Sequence, residues 1–461
     1  MSVLIVVVAL CLLMYVAYKG QSVILFSPLV ALAAVACTDV HLIAPIFSGV
    51  FMTKMVDFIR LYFPVFLLGA LFGKVIELSG FSKSIVSAII KVIGRDRAML
   101  AIVLVCAVLT YGGVSLFVVV FAVYPFAAEL FRAGDIPKRL MPGTIALGAF
   151  SFTMDAFPGT PQIQNIIPTT FFQTNTWSAP ILGLVGSGFV LIVGMIYLEY
   201  NRKKAKANGE GYGTNLINEP ADVPHEQLPN PIIALSPLVV VGVANFMFTR
   251  VIPNIYGKEF SFDIAGKAVT IDVAKLTAVW AVEAALLLGI LVVFIFAFKP
   301  LMKHFADGSK AAVSGAVMAS LNTASQYGFG GVIAALPGFF VVAASLQHIP
   351  NPLLNEAVSV TVLAGITGSA SGGMSIALAT MSSHFIEVAH QMNIPLDVFH
   401  RIAAMASGGM DTLPHNGAVI TLLGVTGLTH KQSYKDIFAI TIIKTLAAGF
   451  AILFYYTTGL Y

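Results

Sequence analysis

The sequence predicts an all-α polytopic membrane protein made of two inverted-topology repeats. Each repeat is expected to hold about five transmembrane helices and one re-entrant hairpin, with broken helices at the midplane. Three observations carry this. Of 461 residues, 58% are hydrophobic and only 10% are charged, against about 25% charged in a soluble domain. Many apolar runs reach the roughly 20 residues that a helix needs to cross a bilayer. Short polar motifs recur in the same order in the two halves. A β-barrel is excluded, because continuous apolar runs are not alternating strands.

Taken in chain order, the expected spans are about 2–18, 22–45, 57–79, 139–170, 178–199, 231–251, 276–298, 311–345, 397–428 and 435–458. The first run lacks a basic leader, and Lys19 follows it, so it reads as a retained span rather than a signal peptide. Two more apolar regions, about 98–131 and 355–388, are interrupted by TYGGVS (Thr110 to Ser115) and TGSASGGMS (Thr367 to Ser375). Lys83, Lys91, Arg95 and Arg97 precede the first interrupted region; Arg132, Lys138 and Arg139 follow it. Both its ends therefore read as cytoplasmic, which makes it re-entrant. No Lys or Arg occurs from Ala311 to His400, so both ends of the second interrupted region read as external. Lys54 and Arg60 fit this map poorly.

These marks divide the chain into a first transmembrane repeat (1–200), a polar, flexible cytoplasmic linker (201–230) and a second repeat (231–461). An external loop over about 252–275 alternates weakly and suggests a small hairpin. The net charge of +4 fits cytoplasmic loops rather than a nucleic-acid surface. Cys11, Cys37 and Cys106 lie in apolar runs and suggest neither disulfides nor a metal site. No cofactor or metal pattern is present.

The repeat rests on three pairs. LSGF (Leu78 to Phe81) returns as LPGF (Leu336 to Phe339). GGVS (Gly112 to Ser115) returns as GGMS (Gly372 to Ser375). SFTMDAFP (Ser151 to Pro158) returns as SGGMDTLP (Ser407 to Pro414). The offsets, 256 to 260 residues, are nearly constant. Inverted repeats of this kind place their sites on broken helices at the repeat interface.

Asp155 and Asp411 occupy matching positions, both within Met-Asp-x-x-Pro. A charge at mid-bilayer costs about 2.5–3.5 kcal/mol on insertion scales and is placed against protein or a wet cavity. Asp155, Asp411 and His415 are the candidate proton-coupling groups. The competing readings are an aspartate that caps a half-helix and a histidine that donates to a backbone carbonyl. Pro158, Pro161, Pro414 and Gly417 are expected to unwind their spans, which makes Thr412, His415 and Asn416 candidate ligands. At the Gly-Ser tips the chosen donors are Ser115, Ser369, Ser371 and Ser375, although tight packing of small residues also calls for Gly and Ser. No Lys or Arg is expected near the middle of the breaks. A carboxylate substrate would then rest on helix N-termini and neutral donors, which suits a small hydroxylated anion. Asp39 and His41 form a further polar pair, read as interfacial. Glu77 and Lys74 read as near the inner surface; Glu356, Glu387 and His390 as near the outer one.

TGSASGGMSIALATM, followed by SGGMDTLPHNGAVITLLGVTGLTHKQSYKDI, resembles the gluconate permease family of the ion transporter superfamily. The similarity is sharpest from about Phe329 to Lys444. It implies a bacterial inner-membrane, multi-pass symporter with no enzymatic activity. Its substrates would be gluconate, 3-hydroxybutyrate, glycerate or similar small organic anions. The coupling ion would be the proton, with sodium as the alternative. It also implies a homodimer in the lipid bilayer that moves by an elevator mechanism. Carried onto this chain, superfamily sites at hairpin tips and unwound spans add Gly113, Thr160 and Gly372 to the substrate-binding candidates. The Ser-Asn-Thr tips of the dicarboxylate carriers are missing, so their sodium sites are not carried over. TYGGVS and SFTMDAFP look nearer to the hydroxybutyrate branch. Two competing classes are an intramembrane aspartyl protease, disfavoured because no Gly-x-Gly-Asp string occurs, and a passive channel.

Overall fold

A computed structural model describes all residues except 1, 20, 95–96, 115, 215, 220–227, 340, 342–348, 368 and 415. The predicted ligands Ser115 and His415 lie outside the described residues, as does Gly368.

The first half begins with α1 (Ser2–Tyr18) and α2 (Val23–Ala36). A short α3 (Ile43–Ile46) and a π turn (Phe47–Phe51) lead into α4 (Met52–Leu78). Next come α5 (Phe81–Ile93) and a hairpin of α6 (Ala98–Tyr111) and α7 (Leu116–Ala133). The broken span follows as α8 (Met141–Ala149), the single turn α9 (Phe152–Asp155) and α10 (Ile163–Phe172). α11 (Pro180–Ala207) closes the half.

The second half repeats this plan. It runs α12 (Pro231–Tyr256), a small antiparallel hairpin of β1 (Glu259–Ile264) and β2 (Lys267–Asp272), then α13 (Val273–Ala335). A second helical hairpin pairs α14 (Pro352–Thr367) with α15 (Ala370–Gln391). The second broken span is α16 (Leu396–Ser407) and α17 (Gly417–Thr426), and α18 (His430–Thr458) ends the chain. The polar loop does form the small hairpin expected of it. Its two-residue turn, Ala265–Gly266, has positive φ at both positions, the backbone that a tight hairpin requires.

α13 corrects one expectation. KPLMKHFADGSK, between the expected spans 276–298 and 311–345, is helical throughout. At 63 residues and about 1.5 Å per residue, α13 is far longer than one crossing. It bends at Ala297 (φ −130°, ψ 31°). Pro300 explains the bend, because its ring clashes with the preceding turn and supplies no N–H. Two helices therefore meet end to end at this kink. With that division, the described residues of the second half follow the same order of long helices, helical hairpin, broken span and closing helix as those of the first.

Packing obeys an approximate two-fold relation. α10, the far half of the first break, packs against α15 and α16 of the other repeat. Its counterpart α17 packs against α7 and α8. The closing helices α11 and α18 pack on each other. A contiguous apolar core joins the halves, with Leu147, Met405 and Ile437 all buried.

The linker also needs correction. Residues 201–207 continue α11, and much of the stretch after it is docked rather than loose. Lys138 Nζ donates to Ile217 O (2.9 Å) and to Glu219 (2.6 Å). Arg139 holds Glu210 through two bonds of 2.6 and 2.8 Å. Composition suggested a flexible linker because it shows Gly, Pro and Asn; it does not show that two of the acids meet fixed cations.

Candidate functional site

The first break is a backbone problem before it is a binding site. Pro158 and Pro161 cannot donate, and the residues before them favour extended backbone. The helix stops after Asp155 and resumes at Ile163. Carbonyls left without helical partners are tolerated at this depth only when something else bonds them. Four of them find named donors. Ala156 O accepts from Arg401 Nη1 (3.1 Å), Pro158 O from Tyr111 Oη (3.2 Å), Gly159 O from Asn245 Nδ2 (3.2 Å) and Thr160 O from Asn165 Nδ2 (3.0 Å).

Arg401 is the centre of this arrangement. It is wholly buried and comes from the other repeat's broken helix, α16. Besides Ala156 O, it donates to Asn165 Oδ1 (2.9 Å), Thr176 O (3.2 Å) and Ser178 O (2.7 Å from Nη2, 3.1 Å from Nε). Its donors are committed to the loop, which makes it a clamp rather than a free anion receptor. Its neighbour His400, also fully buried, sits between Thr174 Oγ1 (2.6 Å from Nδ1) and Asn165 Oδ1 (3.1 Å from Nε2).

The second break, described at 408–414 and 416, lies between α16 and α17. Thr361 Oγ1 donates to Ala406 O (2.9 Å), Tyr434 Oη to Thr412 O (3.2 Å), and His430 Nε2 lies 3.0 Å from Pro414 O. Asp411 is paired with Lys444 on α18, Nζ to Oδ1 2.6 Å. The same ammonium donates to Phe150 O (2.8 Å), at the end of α8 in the first repeat. The expectation that no cation lies near the breaks is therefore wrong. Two buried cations hold them.

Asp155 is treated differently from Asp411. Its residue is 4% exposed, and among the described residues Oδ2 has no hydrogen-bond partner. It lies against Gly408, where a Cβ would collide with that oxygen. Lys444, Asp411 and Arg401 are all within electrostatic reach of it. The two breaks thus meet: Asp155 lies against Gly408 of the second, and Lys444 links Asp411 to Phe150 O at the first.

The remaining predicted ligands divide. Thr160 is fully buried, and its hydroxyl has no partner. Thr412 Oγ1 is bonded to Thr441 Oγ1 (2.6 Å). Asn416 caps α17, accepting from Ala418 N (2.6 Å) and Val419 N (3.2 Å), so its carbonyl oxygen serves the helix. Gly417 is the first residue of that helix rather than part of the unwound stretch. Gly113 has φ +91°, and a Cβ there would press on Pro161 (3.2 Å); it brings the first hairpin tip onto the first break. Gln162 fixes that contact, donating to Thr110 O (2.7 Å) and Val114 O (3.3 Å). At the second tip, Ser369 caps α15 by accepting from Gly372 N (3.1 Å). Ser371 lies 3.5 Å from Thr323 Oγ1. Ser375 is buried with an unpartnered hydroxyl.

Glu356 was read as near the outer surface. It is instead wholly buried on α14, and neither carboxyl oxygen has a partner. Asp39 and His41 are exposed, and Asp39 merely accepts from His41 N (2.9 Å). Lys74 and Glu77 pair at 2.8 Å. Sequence reasoning missed Arg401, Lys444, His400, Asn165 and Asn245. A signal existed for Lys444, a lone cation inside the apolar run AITIIKTLAAGF.

Helices interrupted within the apolar layer, with charges buried at the interruptions and hairpin tips docked on them, define a membrane transporter. Kinship agrees. The sequence is 54% identical over 471 residues, covering all of both chains, to "Uncharacterized transporter YxjC" of Bacillus subtilis (strain 168). The chain belongs to the family of that transporter. A fainter likeness is to a crystal structure of the YdaH transporter of Alcanivorax borkumensis, described as having an unusual topology. There the TM-score is 0.45, with 14% identity over 88% of each chain. No family model matches the sequence.

Proposed function

We propose that this protein is a proton-coupled symporter for a small hydroxy-carboxylate of the gluconate, 3-hydroxybutyrate or glycerate kind, working in a bacterial inner membrane. The observation that carries the reading is the unpartnered carboxyl oxygen of Asp155 where the two breaks meet, beside a lysine already shared by Asp411 and Phe150 O. A buried carboxyl can be neutral while enclosed and charged while wetted, which lets it carry a proton between two aqueous phases. Asp155 is the proton carrier in this scheme. Lys444 is the cation that a substrate carboxylate would engage, with Asp411 holding it in place while the site is empty. The resemblance to gluconate permeases supplies the substrate class, and an elevator-type motion of a homodimer is the associated mode of alternating access.

The test is uptake into proteoliposomes with separately imposed proton and sodium gradients. Acid outside should drive accumulation of a radiolabelled hydroxy acid, and a sodium gradient alone should not. Asp155→Asn should abolish proton-driven accumulation while preserving substrate exchange. Undiminished proton-driven accumulation by Asp155→Asn removes the carrier role, and accumulation on sodium alone replaces the proton with sodium.

A further inference from the structure

The second hairpin tip meets a polar stripe on α13 that the carboxylate scheme does not use. Ser320, Thr323 and Gln326 recur every three residues on that helix and share one face. All three are buried, at 1%, 6% and 4% exposure. Thr323 and Gln326 confront the first turn of α15. Thr323 Oγ1 lies 3.5 Å from Ser371 Oγ, which lies 3.4 Å from Ser369 Oγ. Gln326 points its amide oxygen straight at Gly372, where a Cβ would collide with it. One turn further on, a Cβ at Gly330 of α13 would lie 2.6 Å from Ile376, which sets the pairing of the two helices.

Among the described residues, two polar atoms of this interface have no hydrogen-bond partner. They are Gln326 Oε1 and Ser375 Oγ. Ser375 lies three residues beyond Gly372, on the same face of α15. Unsatisfied buried polar atoms cost stability unless they serve something. An amide oxygen that lacks a donor, near a hydroxyl able to donate or accept, matches an alcohol, which does both. The stripe and the α15 cap are made of hydroxyls and one amide, all neutral. That suits recognition of a hydroxyl and gives no reason to draw a second charge.

We infer that Gln326 and Ser375 form the part of the substrate site that reads the hydroxyl of the transported acid, the alcohol donating to Gln326 Oε1 and accepting from Ser375 Oγ. The inference deepens the hydroxy-carboxylate reading and rests on it. Entry requires the hairpin tip to lift from α13. Discrimination then comes from the absence of any other partner for these atoms: an acid without the hydroxyl leaves both unpaired.

The experiment compares binding of 3-hydroxybutyrate with butyrate, and gluconate with hexanoate, to purified wild type, Gln326→Leu and Ser375→Ala, by titration calorimetry. Monodisperse elution and thermal melting report folding, and Ser375→Ala, which removes one atom, is the variant least able to disturb it. Wild type should prefer the hydroxylated member of each pair. Each variant should lose about tenfold in affinity for the hydroxylated acid while the deoxy acid stays within about twofold, the size expected for one hydrogen bond. An unchanged preference in folded variants overturns the inference, and so does equal loss for both members of a pair. If wild type binds none of the four acids, the substrate reading itself falls and takes the inference with it, a result distinct from the other two.

Discussion

Lys444 bonds Asp411 Oδ1 at 2.6 Å and Phe150 O at 2.8 Å, so one ammonium joins the break of its own repeat to the break of the other. Only 2% of its side chain is exposed. A buried pair of this kind is costly to split and cheap to replace whole, because the penalty lies in the charge left behind.

Lys444→Met should therefore destabilise the protein by about 3–5 kcal/mol, the usual result of stranding one buried partner. Asp411→Leu combined with Lys444→Met should recover most of that loss. Thermal melting in detergent of both single variants and the double variant checks the cycle. Uptake should be absent in all three.

Gly408 has no room for a side chain, since a Cβ would strike Asp155 Oδ2. Gly408→Ala should cost about 1–3 kcal/mol by overpacking. Shortening the obstacle with Asp155→Ala in the same chain should relieve the strain. A double-mutant cycle read by melting temperature should show favourable coupling between the two positions; strict additivity would separate them.

Arg401 bonds three backbone carbonyls and Asn165 within a buried site. Arg401→Met would leave Ala156 O without its donor. The expected result is a loss of about 3 kcal/mol or more and faster hydrogen exchange across 156–178. Arg401→Lys should rescue little, because an ammonium cannot reproduce the planar fork.

The docked linker should respond to acid. Hydrogen bonding from Arg139 lowers the Glu210 carboxyl below its ordinary value of 4.5. For Glu219, burial pushes upward, but bonds from Lys138, Arg132 and Tyr212 outweigh it, and the net direction is also down. Groups depressed on folding stabilise fully above their ordinary value and lose that contribution as pH falls from there through the lowered folded value. Limited proteolysis within 208–219 should be slow at pH 7 and accelerate below about pH 4.5. Both acids are partly exposed, so high salt should weaken the docking even at neutral pH.

Much of this fold was legible because membrane insertion writes it in plain composition. Apolar length marked the spans, Pro and Gly marked the breaks, and recurring Met-Asp-x-x-Pro marked the pairing. Asp155 and Asp411 stand out for that reason, and both are buried at the breaks. What stayed hidden was the set of partners. Lys444 lies 33 residues from Asp411, and Arg401 lies 223 to 245 residues from the carbonyls it bonds. No spacing rule reaches across that distance. Asn416 looked like a ligand because a polar residue after a proline can be either a cap or a donor, and only its bonds to Ala418 N and Val419 N decide. Glu356 was misplaced because charge near a span's end usually signals an interface, yet here it is enclosed.

The ties formed by Arg401 and Lys444 have a mechanical consequence. Each runs between the halves of the chain, one from α16 to the first break, the other from α18 to the end of α8. A motion that swung one half away from the other would have to tear both, along with the buried partners they neutralise. Any opening that leaves them intact must carry both breaks together.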